Sequence, residues 1–334
     1  MRSKLYIAAL VCLTLAACDP EKLFNQVEPV DFGPLESKLV PNYFLNNLDP
    51  TGVLVSNTVP STGPQILPKF VKDAAVKLYE NDVLKATFSF STLAFDSVYR
   101  NSVVGTPGKY YTLEVSHPDY PTATGTDTMP TLVPFTVTKT GKQRYIKLED
   151  NFGGPTGIDT FVEVSIKFTD LPGKDYYRLV VKDSLYEMGF AGRVSEDQIF
   201  GFGQAISTDP VFNTSIGFDP LEPQSERYVN PNISYFTDVT FNNSTKDILI
   251  WFPIGNLSAL FGGGIPEEFF TRRQRKYFAL QHLSSAQYLR LISVEQAGNS
   301  GTPFTQPTLL YTNTRGGFGI MACSTSTIDS IKLK

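Results

Sequence analysis

The chain has 334 residues, 41% hydrophobic and 19% charged, which suits one large or two ordinary domains and excludes an intrinsically disordered chain. The formal net charge of −4 offers nothing to a phosphate backbone, so nucleic acid is excluded as the main partner. The basic run Arg272-Arg273-Gln274-Arg275-Lys276 reads as a solvated strand end.

Residues 1–17 divide into the zones of a secretory signal peptide. Arg2 and Lys4 supply positive charge, and Leu5 to Leu15 is apolar apart from Thr14. Small residues then lead to Cys18. The apolar run is too short to cross a bilayer as a stable helix, which takes about 20 residues. Leu15-Ala16-Ala17-Cys18 resembles the bacterial lipobox, which implies cleavage before Cys18 and lipidation of its thiol. The alternative is an ordinary secreted protein with a chance cysteine at its cleavage site. Cys12 leaves with the signal and Cys18 carries lipid, so Cys323 has no intramolecular partner and reads as a small buried hydrophobe. Residues 18–36 read as a lipidated tether. Its start, Asp19-Pro20-Glu21-Lys22, loosely resembles the acidic segments that send Bacteroidota lipoproteins to the cell surface. A solvated linker is the alternative.

The body reads as mainly β, an Ig-like or transthyretin-like sandwich over 37–130 and a larger β-rich domain with one late helix over 131–334. In the first part, strands are expected at Gly52 to Asn57, Ala74 to Glu80, Val83 to Phe90, Tyr110 to Val115 and Thr122 to Asp127. Asn81-Asp82 and Pro107-Gly108-Lys109 are turn signals between them. In the second part Phe161 to Phe168 alternates, predicting Val162, Val164, Ile166 and Phe168 inward and Glu163, Ser165 and Lys167 in water. Tyr176 to Val181 and Asp247 to Phe252 are further strands. Tyr186 to Asn232, with Phe200-Gly201-Phe202-Gly203, reads as a long connection that is either functional or mobile, and Phe261 to Pro266 as a second loop of this kind. Ser284 and Gln287 predict a capping box, followed by Tyr288, Leu291 and Ile292 at helical spacing and a stop at Gly298.

Chemistry-bearing patterns are sparse. His117 and His282 both read as structural, and no zinc, triad or clustered Cys/His motif occurs, so neither a metal nor a cofactor is expected. Asp219, Glu222, Glu267 and Glu268 are carboxylates from which a hydrolase pair could be drawn, but no spacing unites two of them. Trp251 lies in an apolar run and reads as buried. Phe200, Phe202, Phe269 and Phe270 fall in glycine-bearing loops, where they either form a partner or ligand surface or pack inward. Ser97, Thr128, Ser184 and Ser330 each follow Asp and precede an apolar residue. This resembles the O-glycosylation acceptor of exported Bacteroidota proteins, and Asp-Ser and Asp-Thr are also ordinary turn residues.

Several segments together resemble a Bacteroidota family of outer-membrane lipoproteins that carries a domain of unknown function. Glu36-Ser37-Lys38-Leu39-Val40 matches its first strand, Gly108 to Val115 its Gly-Lys-x-Tyr-x-Leu strand and Thr128-Met129-Pro130 a domain-ending Met-Pro. Asp175-Tyr176-Tyr177-Arg178 resembles a paired-tyrosine strand. Phe236-Thr237-Asp238 with Phe241-Asn242 resembles a mid-domain motif in which Asn243 replaces a glycine. Ser285 to Glu295, then Pro303-Phe304 and Pro307, then Asn313-Thr314-Arg315-Gly316-Gly317-Phe318-Gly319-Ile320, resemble the family's C-terminal helix and ending, with Thr302 where Asn is usual. The resemblance implies an outer-membrane, lipid-anchored protein, facing the periplasm or, preferably, the cell surface. It further implies a non-enzymatic accessory that assists a neighbouring TonB-dependent receptor in nutrient binding or uptake. A surface adhesin or glycan-binding lipoprotein is the first alternative and a carboxylate-based hydrolase the second.

Overall fold

The computed structural model describes residues 36–59, 69–91, 97–149, 155–184, 187–188, 194–195, 199–200, 205–213, 227–229, 235–253, 275–299 and 309–332. In chain order its strands are β1 (Leu39–Asn46), β2 (Leu54–Asn57), β3 (Ala75–Glu80), β4 (Val83–Ser91), β5 (Val98–Arg100), β6 (Tyr110–His117), β7 (Tyr120–Thr128), β8 (Phe135–Glu149), β9 (Pro155–Thr169) and β10 (Tyr176–Ser184). The short strands β11 (Glu187–Met188), β12 (Val194–Ser195), β13 (Ile199–Phe200), β14 (Ala205–Ser207), β15 (Arg227–Val229) and β16 (Tyr235–Thr237) follow. The chain closes with β17 (Thr245–Pro253), β18 (Arg275–Leu283), helix α1 (Ser285–Asn299), β19 (Thr314–Arg315) and β20 (Ile320–Lys332). Among the described residues the fold is thus mainly β with one late α-helix, as expected.

Three sheets carry the fold. The first runs β19-β7-β6-β3-β4-β5, the second β13-β10-β18-β20-β1-β2 with β16 also on β10, and the third β15-β14-β17-β9-β8. The pair β11–β12 stands apart. The turn Asn81-Asp82 joins β3 to β4 with both residues at positive φ, 48° and 66°, the mirror-image turn whose twist suits a hairpin.

The first core holds Tyr43, Val55, Leu78, Phe88, Tyr99, Tyr111 and Leu113 from the N-terminal strands together with Met321 and Cys323 from β20. The segment 37–130 therefore has its core completed by the end of the chain, through a parallel pairing of β1 with β20. The second core joins Val164, Ile166 and Phe168 of β9 and Ile248 and Ile250 of β17 to Tyr177, Leu179, Phe278 and Leu280 of the second sheet. The described residues from Lys38 onward form one compact unit.

Two bonds of Tyr99 tie this first core to a loop. Its hydroxyl accepts the Ala74 N–H at 2.8 Å and donates to the Val71 carbonyl at 3.0 Å, with the ring 2% exposed. Tyr99→Phe strands both backbone groups, so a loss of about 1–3 kcal/mol is expected in urea unfolding. A variant as stable as the wild type would show that water replaces the hydroxyl.

Several expectations need correction. Glu163 and Ser165 of β9 are buried, not in water. The cause is that β9 lies between β8 and β17, whose polar side chains cover that face. Lys142 pairs with Glu163 at 3.2 Å, and Ser165 donates to Asp247 at 2.6 Å. Lys276, read as part of a solvated strand end, is 1% exposed, with its ammonium 5.1 Å from the Phe252 ring centre. Trp251 is half-buried, and the Arg144 guanidinium lies over its ring at 4.4 Å. The stretch from Tyr186 to Asn232, expected as one long connection, contains β11 to β15.

The capping box is half made. Ser284 Oγ accepts the Gln287 N–H at 3.2 Å, as a cap should. The return bond is absent, because the Ser284 N–H donates to the Cys323 carbonyl at 2.9 Å instead. Gln287 Oε1 is left buried without a partner. The helix passes Gly298 by one residue and ends at Asn299. It covers the face of β20 opposite the first core, where Ala286 meets Ile320 and Ala322.

Candidate functional site

Strand register builds one polar site inside the second core. The segment Asp170 to Asp175 carries the chain from β9 in the third sheet to β10 in the second, with Gly173 at φ 137°. β16 pairs with β10 so that Tyr176 lies opposite Thr237 and Tyr177 opposite Phe236. That register sets Asp238, one residue past β16, beside Asp175, and the Asp238 N–H donates to the Asp175 carbonyl at 3.3 Å. On the other side of β10, Tyr177 lies opposite His282 of β18. The result brings Asp170, Asp175 and Asp238 together, with one ligand-capable oxygen of each no more than 4.8 Å from those of the others.

The surroundings are apolar and ordered. Tyr177 packs against Phe168 at 5.1 Å, Phe236 at 5.8 Å and Phe241 at 6.2 Å, and stacks on His282 at 5.2 Å between ring centres. Asp170 and Asp238 are 2% and 1% exposed. Tyr177 donates its hydroxyl to Asp170 Oδ1 at 2.5 Å, and Asn243, at φ 55°, donates its N–H to Oδ2 at 2.8 Å. Burial, then the bond to Asp170, drives the Tyr177 phenol far above its ordinary pKa, so it stays a donor.

His282 places Asp175. Its Nδ1 faces the Thr131 carbonyl at 2.9 Å, and a carbonyl can only accept, so Nδ1 carries a hydrogen. Its Nε2 faces Asp175 Oδ1 at 2.8 Å, so this pair holds one further proton between the imidazole and the carboxylate. Burial raises the Asp175 carboxyl, His282 lowers it, and Asp170 and Asp238 raise it again. Both ring nitrogens are thereby committed, and His282 acts as a positioning group. Asp175 Oδ2 and Asp238 Oδ2 remain buried with no hydrogen-bond donor among the described residues.

Sequence reasoning did not find this site. Asp170, Asp175, Tyr177, Asp238 and His282 are scattered from 170 to 282, and no metal or catalytic spacing connects them. The usable signal was indirect: Asp175-Tyr176-Tyr177 and Phe236-Thr237-Asp238 were both singled out as family-like, and the β10–β16 register brings them face to face.

Among the chemistry-bearing residues singled out from sequence, His282 belongs to this site. Cys18, Phe202, Phe269 and Phe270 lie outside the described residues, as do Asp219, Glu222, Glu267 and Glu268; Phe200 belongs to β13, with its side chain undescribed. Thr128 is exposed at the end of β7, and Ser330 is half-buried in β20. Ser97 is half-buried just before β5, and Ser184 ends β10. His117 bonds Asp73 at 3.0 Å and accepts the Asp119 N–H at 3.1 Å, a local turn lock. No described helix is long and apolar enough to cross a membrane.

Fold and site define a mainly β protein with a carboxylate cluster buried at the meeting of two sheets. Residues 27–329 match the family described as Domain of unknown function (DUF4249), and the chain belongs to that family. No curated protein matches it. A solved structure given as "Crystal structure of Putative membrane anchored protein from Corynebacterium diphtheriae" aligns at 13% identity and a TM-score of 0.19. That alignment covers 75% of this chain and 55% of the other, so the chain spans about half the length of that protein.

Proposed function

We propose that this protein is a lipid-anchored accessory lipoprotein of the outer membrane whose β-rich body faces the cell surface. There it assists a TonB-dependent receptor in binding or admitting a nutrient, without catalysis of its own. The observation that carries this reading is Leu15-Ala16-Ala17-Cys18 at the end of a basic, then apolar, leader. The family-like segments spread from Glu36 to Ile320 add the receptor neighbourhood, which is evidence of association and not of mechanism. Docking would use Phe200, Phe202, Phe269 and Phe270 as an apolar centre with a polar rim.

Acyl chains on Cys18 supply the attachment, at about 0.8 kcal/mol per buried methylene. Cys18→Ser is therefore expected to cut the fraction sedimenting with envelopes by roughly tenfold or more, with the β fold intact by circular dichroism. Unchanged sedimentation would remove the anchor from the account. Crosslinking on intact cells followed by gentle detergent extraction examines the second half of the reading. A receptor barrel recovered with the lipoprotein is the expected result, and recovery of the lipoprotein alone would count against the partnership.

A further inference from the structure

Most buried carboxylates either accept several hydrogen bonds or carry a proton, because an unpaired ion in an apolar interior is among the most unfavourable groups a fold can hold. The cluster at the start of β10 departs from that rule in a directed way. Tyr177 and Asn243 take the two oxygens of Asp170, and His282 takes one oxygen of Asp175. Asp238, 1% exposed, keeps Oδ2 without any donor, and Asp175 does the same with its own Oδ2. Lys246, whose ammonium reaches the neighbouring Phe241 ring, is paired with Asp209 at 2.8 Å and so does not answer this charge.

We propose that Asp170, Asp175 and Asp238 bind one divalent cation of the calcium type. The donor set is all oxygen, which selects a hard ion. Zinc would want nitrogen or sulfur, and the one histidine here has both nitrogens engaged, by the Thr131 carbonyl and by Asp175. The spacing agrees. Oxygens that all lie within 4.8 Å of one another are close enough to reach a single ion. Magnesium dehydrates reluctantly and demands strict octahedral geometry, so a site whose Asp170 and Asp238 are 2% and 1% exposed favours calcium. Tyr177 and His282 play the part that outer partners play at metal sites: Tyr177, with Asn243, orients Asp170, whose oxygens each keep a further lone pair, and His282 orients Asp175, whose Oδ2 has no donor among the described residues.

The site has a structural use as well. Asp170 and Asp175 bound the crossover from the third sheet to the second, and Asp238 begins the turn that returns to β17. One ion held by all three would pin both crossings at one point. The inference does not rest on the proposed anchoring or on any receptor.

The test uses full-length lipoprotein in detergent, stripped with EDTA and titrated calorimetrically with calcium, magnesium and zinc chlorides. One calcium per chain is expected, bound more tightly than magnesium or zinc. Asp238→Asn should weaken calcium by about tenfold to a hundredfold. Asp49→Asn, at an exposed turn, should leave it unchanged. No calcium-dependent heat, stronger binding of zinc, or an Asp238→Asn variant that binds like the wild type would each overturn the proposal. Should that variant fail to fold, terbium luminescence on the wild type decides. The Tyr177 hydroxyl sits on Asp170, so tyrosine-sensitised emission that calcium displaces at one ion per chain is expected. Its absence contradicts the site.

Discussion

Gly319→Ala should be among the most damaging single-methyl additions in this chain. A Cβ at Gly319 would lie 2.0 Å from the Pro41 carbonyl oxygen and 2.8 Å from its carbonyl carbon and nitrogen, all backbone atoms. Pro41 cannot step back, because β1 is held between β2 and β20. The neighbouring Gly317 is in the same position against the Leu39 carbonyl at 2.4 Å, and the Phe318 N–H donates to that carbonyl at 2.9 Å. Backbone packs directly on backbone here, and a methyl group forces the two apart. We expect a loss of about 3 kcal/mol or more, read as a melting point lower by roughly 10 °C or as failure to accumulate folded protein. Gly108→Ala is the comparison. Gly108 is at φ 76° with open space around it, so only the backbone preference is lost, at about 1–2 kcal/mol. Equal and small effects at both positions would mean that β1 and the glycine segment are not in contact.

The second large effect concerns Asp127. Residues 320–323 of β20 have β1 on one side but no strand among the described residues on the other, since β18 ends at Leu283. Side chains take the missing strand's place. Asn313 Oδ1 accepts the Met321 N–H at 3.0 Å, and Asp127 Oδ2 accepts the Cys323 N–H at 2.7 Å. Burial pushes the Asp127 carboxyl up to about 6, against the pull of its bonds from Ser284, Cys323 and Thr128. A raised carboxyl holds its proton in the native state after the unfolded chain has released its own. Its contribution is then fully present below about pH 4 and is lost as the pH rises through about 6. At 1.36 kcal/mol per unit, the total is about 3 kcal/mol. Asp127→Asn has no such proton. Urea unfolding of both proteins should therefore show their difference moving by about 3 kcal/mol in the variant's favour between pH 4 and pH 7. Parallel profiles would show that Asp127 ionises as freely in the fold as in the unfolded chain.

Local rules were legible where local forces decide. The Asn81-Asp82 turn, the Ser284 cap on Gln287 and the alternation of Val162, Val164, Ile166 and Phe168 are all short-range consequences of residue type, and the fold follows them. Errors arose where a distant strand supplies the partner. Glu163 is buried because Lys142 of β8 reaches it, and Ser284 gives its N–H to Cys323, 39 positions away in the chain, instead of to Gln287. The close approach of Gly317 and Gly319 to β1 was half visible. Glycines before an apolar strand fit close backbone approach, but nothing local in the sequence names the contacting strand. The carboxylate cluster was the least legible feature. Its members belong to two connections and become neighbours only through the register of β10 with β16.

The anchoring claim is tested most directly at the amino end of the mature protein. Trypsin should release Cys18-Asp19-Pro20-Glu21-Lys22 from protein made in its native cells, and mass spectrometry should find it enlarged by a diacylglyceryl group on the Cys18 sulfur and an acyl chain on its amine. A bare Cys18, or a peptide that continues back through Ala17, would contradict the account.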